Sequence, residues 1–211
     1  MKSKVTLIRH GETEWNRSGK QQGIKNSNLT QTGIRQAEAT ADALGLFGPF
    51  EAMYSSHLGR ATHTAALIGA KIRISFLEKD CLQERNLGIL QGLTIEEFKR
   101  RYPAAHTGFA SRDPDYIIPE GESSRHRYDR GNSCIGELAA RHPGQHILVI
   151  THGGIIDGVM RKIMGVPLEI PRMYSLFNCS INTISISQDR WRLLSWGEIH
   201  HLKGIGSLDD H

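Results

Sequence analysis

The sequence predicts an α/β fold, a three-layer sandwich in which a mostly parallel central sheet is flanked by helices. Three observations carry that expectation. Short apolar runs of β-type residues alternate with segments whose apolar residues recur at helical spacing. The two clearest runs, residues 5–8 and 146–150, stop at Arg9-His10-Gly11 and Thr151-His152-Gly153-Gly154, as buried strands ending at a sheet edge would. No repeat or low-complexity linker divides the 211 residues. A chain of this length buries about 70% of its unfolded surface, so one domain spanning residues 1–211 is expected.

The elements follow in order. Val5-Thr6-Leu7-Ile8 is a compact strand. From Thr30 onward Ile34, Ala37, Ala41 and Leu44 recur at helical intervals, and Gly45 and Gly48 end the pattern. Ala52-Met53-Tyr54 reads as a strand, and Ala61, Ala65 and Ile68 share one face of the next helix. Residues 72–76 alternate as a strand does. Thr94-Ile95-Glu96-Glu97 is a capping box, in which the Thr hydroxyl accepts from the third helical amide and Glu97 reaches back. A helix with Ile95, Phe98 and Tyr102 inward is expected to run from there to Pro103. Residues 104–121, with Asp113-Pro114 and Ile118-Pro119, read as an irregular excursion. Another helical pattern ends near Arg141, before Pro143-Gly144. After the strand at 146–150, Ile155, Ile156, Val159, Met160 and Ile163 line one side of a helix. Two strands close the chain, around 181–186 and 191–196, with Asp189-Arg190 near their turn.

Composition excludes several classes. No stretch approaches the roughly 18 to 20 apolar residues of a membrane span. The basic start, Met1-Lys2-Ser3-Lys4, precedes only Val5-Thr6-Leu7-Ile8 before Arg9, too little for a signal peptide. A cytoplasmic protein without a membrane partner is expected. Cys81, Cys134 and Cys179 are odd in number, widely spaced and form no Cys-x-x-Cys pair, which predicts reduced thiols. Lys plus Arg exceed Asp plus Glu by four (26 against 22), which fits an anionic ligand. The basic residues are dispersed, so nucleic acid is not an expected partner.

The most specific segment is Leu7-Ile8-Arg9-His10-Gly11-Glu12-Thr13-Glu14-Trp15-Asn16. Three others follow it: Ser55-Ser56-His57-Leu58-Gly59-Arg60-Ala61, Glu84-Arg85-Asn86-Leu87-Gly88, and Thr151-His152-Gly153-Gly154. Leu29-Thr30-Gln31-Thr32-Gly33 and Gly121-Glu122-Ser123 are weaker matches. In this order the set resembles the histidine phosphatase superfamily, also called the phosphoglycerate mutase-like family. The resemblance implies the phosphoglycerate mutase-like fold and a phosphohistidine formed at His10. It also implies phosphate ligands at Arg9 and Arg60, a second histidine at His152 and a proton donor at Glu84.

The residues support the same chemistry by themselves. Ligands of open α/β sheets bind beyond the carboxyl ends of the strands, where both Arg9-His10 and Thr151-His152 fall. A neutral imidazole is a competent nucleophile, provided one ring nitrogen donates to a backbone carbonyl and leaves the other free. Arg9 and Arg60 supply planar cationic forks for a phosphoryl dianion, and Asn16 adds a neutral donor. His152 is expected to donate to the phosphoryl group. Glu84 is the candidate acid for the leaving alkoxide and later the base for water, with Glu12 and Glu14 as alternatives. Gln22, Gly23 and Gly153 are candidate substrate contacts, Gly23 by close backbone approach. Arg85, Glu122 and Ser123 either shape the pocket or brace it. Arg125, His126 and Arg127 either reach it, favouring a substrate with a second negative group, or form a solvated helix face. The remaining histidines, including His200-His201, are read as surface or packing residues, with no metal ligand set among them.

The expected activity is a metal-independent phosphomonoesterase without cofactor, acting on a small phosphorylated metabolite as a monomer or homodimer. Gln22-Gly23, Leu93-Thr94-Ile95-Glu96-Glu97 and the compact 92–121 stretch are similar to the phosphatase branch. The 84–92 segment is similar to mutases, so phosphoglycerate mutation is the alternative, and a catalytically silent binding module the third reading.

Overall fold

The apolar residues of the two clearest strands divide between two faces. Val5, Leu7, Ile147 and Val149 belong to one apolar cluster, and Ile8, Leu148 and Ile150 to another. Unbroken apolar runs arise in this way, because successive side chains leave opposite sides of a sheet covered on both. The computed structural model describes residues 1–188 and 190–209, so Asp189, expected near the last turn, lies outside the described residues.

The strands are β1 (Ser3–Arg9), β2 (Ala52–Ser55), β3 (Phe76–Glu78), β4 (His146–Thr151), β5 (Ile181–Ser187) and β6 (Arg190–Glu198). They form a six-stranded sheet in the order β3-β2-β4-β1-β5-β6. The first four in that order run parallel, while β5 and β6 join antiparallel. The helices are α1 (Glu14–Arg17), α2 (Gln31–Leu44), α3 (Gly59–Ile72), α4 (Ile95–Arg101), α5 (Pro103–Ala110), α6 (Ser124–Arg141) and α7 (Gly153–Met164). Cys134, Ile135 and Leu138 of α6 and Ile156 and Val159 of α7 cover one face. Ala41 and Leu44 of α2 and Ala61, Ala65 and Ile68 of α3 cover the other. The α/β class and the mostly parallel sandwich are as expected.

Four local readings change. Residues 72–76 are not a strand: α3 continues to Ile72, Arg73 ends it in the left-handed region at φ 61°, and the next strand begins at Phe76. The alternation is real, because Ile72, Ile74 and Phe76 all pack on the same cluster. A helix end and a turn, rather than a strand, bring them there. The 104–121 excursion is in part helical, since Pro103 opens α5 at its first position, where a missing N–H costs nothing. Its Ile118 joins Leu87, Leu90 and Phe98 in a small separate core. The short α1 was not anticipated, although Thr13 and Asn16 form a capping box around it.

The fourth change concerns the thiols. Cys81 and Cys134 are joined as a disulfide across 53 residues, and Cys179 alone is a free, buried thiol. Spacing along the chain carried no sign of this. The pair meets because the 3-10 turn Asp80–Leu82 after β3 packs against α6. At Thr94 the capping box is present as read: its hydroxyl accepts from the Glu97 amide at 3.2 Å, and Glu97 accepts from the Thr94 amide at 2.9 Å. Among the described residues no helix is long and apolar enough to cross a membrane.

Candidate active site

β1 and β4 pair in parallel with Arg9 opposite Thr151, so the two chains leave the sheet at the same edge. The His10 amide donates to the Thr151 carbonyl at 3.0 Å, and the His10 and His152 rings lie 5.3 Å apart, centroid to centroid. Both are buried.

The partners of His10 select its tautomer. Nδ1 lies 2.8 Å from the Gly11 carbonyl, which can only accept, so Nδ1 carries the proton. Nε2 keeps its lone pair and accepts from Nε of Arg60 at 3.2 Å. Burial, then the charges of Arg60 and Arg9, hold the imidazole well below its ordinary range. The ring is therefore neutral at physiological pH, with its lone pair on Nε2.

Arg60 is the second residue of α3 and is itself buried. Its two terminal nitrogens donate to the carbonyls of Lys25 and Gly23 at 2.8 and 2.7 Å. The loop before α2 thereby becomes part of the wall. Gly23 sits at φ +56°, and a Cβ there would strike the Gln91 carboxamide. Gln91 uses that carboxamide to accept from the Ile24 amide at 2.7 Å, so only glycine fits this close approach. Arg9 donates to the Leu176 carbonyl.

His152 is oriented by a residue to which sequence reasoning gave no role. Ser56 Oγ accepts from the Leu58 amide at 3.3 Å and lies 2.8 Å from His152 Nε2. Nδ1, the other ring nitrogen, is a buried atom with no hydrogen-bond partner. Burial, followed by Arg60, His10 and Arg9, lowers this imidazole as well. Ser56→Ala is expected to free the ring and lower kcat about tenfold, by analogy with outer partners that orient metal-bound histidines. Steady-state kinetics beside a thermal melt would check it, and an unchanged kcat would exclude the orienting role.

Glu84 is held at both carboxylate oxygens. Oε1 accepts from the Arg85 amide at 2.7 Å, and Oε2 from the Gly154 amide in the first turn of α7 at 2.8 Å. A Cβ on Gly154 would collide with Glu84, whereas one on Gly153 would meet only Arg9 at 3.6 Å, an ordinary contact. Gly154, not Gly153, is the glycine this geometry demands.

A cavity of about 290 Å³ opens here, and Arg9, His10, Gln22, Gly23, Arg60, Glu84 and Gly153 all lie on its wall. His152 stands behind His10 and is fully buried. Asn16 is not on the wall; its Oδ1 accepts from the Thr13 amide and hydroxyl at 3.1 and 3.0 Å. Glu12 is buried and accepts from the Thr30 hydroxyl, while Glu14 pairs with Arg17 in solvent. Arg85 lines the cavity, and burial, then Arg127, pushes its guanidinium down to about 10. Glu122 and Ser123 brace instead: Glu122 accepts from Arg130 at 2.7 Å, and Ser123 caps α6.

The basic stretch at the start of α6 divides. Arg125 pairs with Asp115 and His126 with Glu122, both partly in solvent. Arg127 is buried in the cavity wall and donates to the Gly154 carbonyl. Successive helical side chains fan by about 100°, so only one of the three faces inward, and composition alone does not say which. Among the described residues no group of three or more His, Cys, Asp or Glu side chains is disposed to hold a metal ion.

The neutral imidazoles make stability depend on pH. Unfolded, they bind protons near pH 6.5; folded, only well below it. The unfolded chain therefore holds more protons below about pH 6.5, and stability must fall as pH drops. The slope is about 1.4 kcal/mol per pH unit for each fully buried ring. Half-buried His146, pushed down to about 4 chiefly by burial, adds in the same direction. Urea unfolding at pH 7 and 5.5 is expected to show the loss, with a shallower dependence for His10→Gln. A flat profile would contradict it.

The description Histidine phosphatase superfamily (branch 1) matches residues 5–199 of the chain. A metal-independent phosphoserine phosphatase of Arabidopsis thaliana is 35% identical over 98% of this chain and 86% of its own length. A probable phosphoglycerate mutase, GpmB of Proteus mirabilis, is 30% identical over 98% of this chain and 97% of its own. Among solved structures, the phosphoserine phosphatase of Entamoeba histolytica, in complex with 3-phosphoglyceric acid, superposes with a TM-score of 0.84. It is 27% identical and covers 95% of this chain and 99% of that one.

Proposed function

Because the chain belongs to the histidine phosphatase superfamily, branch 1, we propose that it hydrolyses a small phosphomonoester through a phosphohistidine at His10. The observation that carries this reading is the His10 ring: buried, proton on Nδ1, lone pair on Nε2, and flanked by Arg60 in a cavity of substrate size. Nε2 attacks phosphorus and the P–O bond to the alcohol breaks. Glu84, acting as the acid, gives a proton to the departing oxygen. Arg9 and Arg60 offset the charge on the equatorial oxygens, and His152 adds a hydrogen bond as that charge moves. Water then attacks the phosphohistidine, Glu84 takes its proton, and inorganic phosphate leaves with His10 restored. These side chains supply nucleophile, acid and charge, so no metal enters the scheme.

A panel of phosphomonoesters, assayed for phosphate release in EDTA with His10→Ala as control, tests the proposal. Release by the wild-type protein and none by the variant is expected. The similarity to GpmB motivates a second arm, 3-phosphoglycerate with a trace of bisphosphoglycerate. Fast isomerisation with little phosphate released would replace hydrolysis by mutation as the function.

A further inference from the structure

Resting on the phosphatase reading above, we propose that Arg127 and Arg85 form a second anion subsite that selects substrates whose leaving alcohol carries a carboxylate. Arg127 is 7% exposed and lines the cavity, yet its Nε has no hydrogen-bond partner. A buried guanidinium with an unmet N–H is costly, and an anion drawn against the same group from the cavity offsets that cost. Its nearest carboxylate, Asp157, lies 3.7 Å away and is already committed to Arg161 at 2.9 Å and to the Tyr174 hydroxyl at 2.8 Å. Arg85 stands on the same wall, its Nε donating to the Glu122 carbonyl at 2.9 Å and its guanidinium carbon 5.8 Å from the centre of the Phe109 ring. Two guanidinium groups facing one cavity repel, and an anion between them removes the repulsion.

The position identifies which part of the substrate is read. Gly154 ties the subsite to the acid through one residue: its N–H holds Glu84, and its carbonyl holds Arg127. Arg85 directly follows Glu84, and consecutive Cα atoms are only about 3.8 Å apart. An anion held there lies close to the oxygen that Glu84 protonates, on the leaving alcohol rather than on phosphorus. The fork of a guanidinium matches a planar carboxylate. The substrate class is therefore a short phosphorylated carboxylic acid.

The test compares O-phosphoserine with O-phosphoethanolamine, which lacks only the carboxylate. Wild-type kcat/KM is expected to favour O-phosphoserine. In Arg127→Gln the ratio of the two kcat/KM values should fall about 10- to 100-fold, the worth of a charged hydrogen bond. The loss should appear mainly in KM, since a group remote from phosphorus binds equally in ground and transition states. Arg127→Lys, which keeps the charge, should recover part of the ratio and serves if the glutamine variant does not fold. An unchanged ratio, or equal wild-type use of both esters, overturns the subsite. Calorimetric binding of 3-phosphoglycerate and glycerol 3-phosphate to His10→Ala separates the two readings. Preference for the carboxylate there, with no ester hydrolysed by the wild type, keeps the subsite and rejects the phosphatase; equal binding rejects the subsite.

Discussion

His10→Ala protein is expected to release phosphate at least about 10⁴-fold more slowly than wild type, in line with the loss of a covalent nucleophile elsewhere. The ring is surrounded by groups that cannot replace it. Arg9 and Arg60 are cations, and the Gly11 carbonyl fixes the ring proton on Nδ1, which leaves the lone pair on Nε2. Removing the imidazole also leaves Arg60 Nε facing a void, so the variant should still bind phosphate while failing to turn over. Acid-quenched protein exposed to a ³²P-labelled ester would show label on the wild type alone. Equal turnover in the variant would mean that water attacks phosphorus directly.

Gly154→Ala is expected to lower kcat about 100-fold, the scale of a catalytic group misplaced by an ångström or so. The backbone itself tolerates the change, because Gly154 lies in the first turn of α7 and alanine is the better helix former by about 1 kcal/mol. The added methyl, however, takes the space of the Glu84 carboxylate, with Arg127 only 2.8 Å from it. Both the Glu84 carboxylate and the neighbouring guanidinium must shift. A preserved melting temperature with a collapsed kcat is the expected signature. Gly153→Ala, where the methyl meets ordinary contact, should lose less. Equal losses in the two variants would place the sensitivity in the α7 backbone rather than in Glu84.

What could be read in advance follows from how local the cause is. β1 and β4 were legible because doubly covered parallel strands write themselves as apolar runs, and the histidines at their ends came with them. Arg60 and Glu84 were reached through motif order, since each lies within a matched segment. Gly154 follows Gly153 in the Thr151-His152-Gly153-Gly154 motif, and its hold on Glu84 was not legible, because only the packing distance to Glu84 separates two adjacent glycines. Ser56 was likewise visible without a role, which needed the 2.8 Å contact to His152. Arg127 depended on helix phase at the start of α6, where three basic residues in succession look alike. The strand expected at 72–76 failed because a period of two also describes a helix end followed by a turn. The cysteine pair depended on contact between elements 53 positions apart, beyond the reach of spacing rules.

That disulfide closes residues 81–134 into a covalent ring, and the ring contains Glu84, Arg85, α4 and α5. A protease that cuts once between Leu82 and Ser133 therefore releases nothing: the two pieces stay attached and migrate together until a reductant separates them. The side of the cavity that carries Glu84 is fastened at both ends to the same point on α6, like a loop of cord tied to one post.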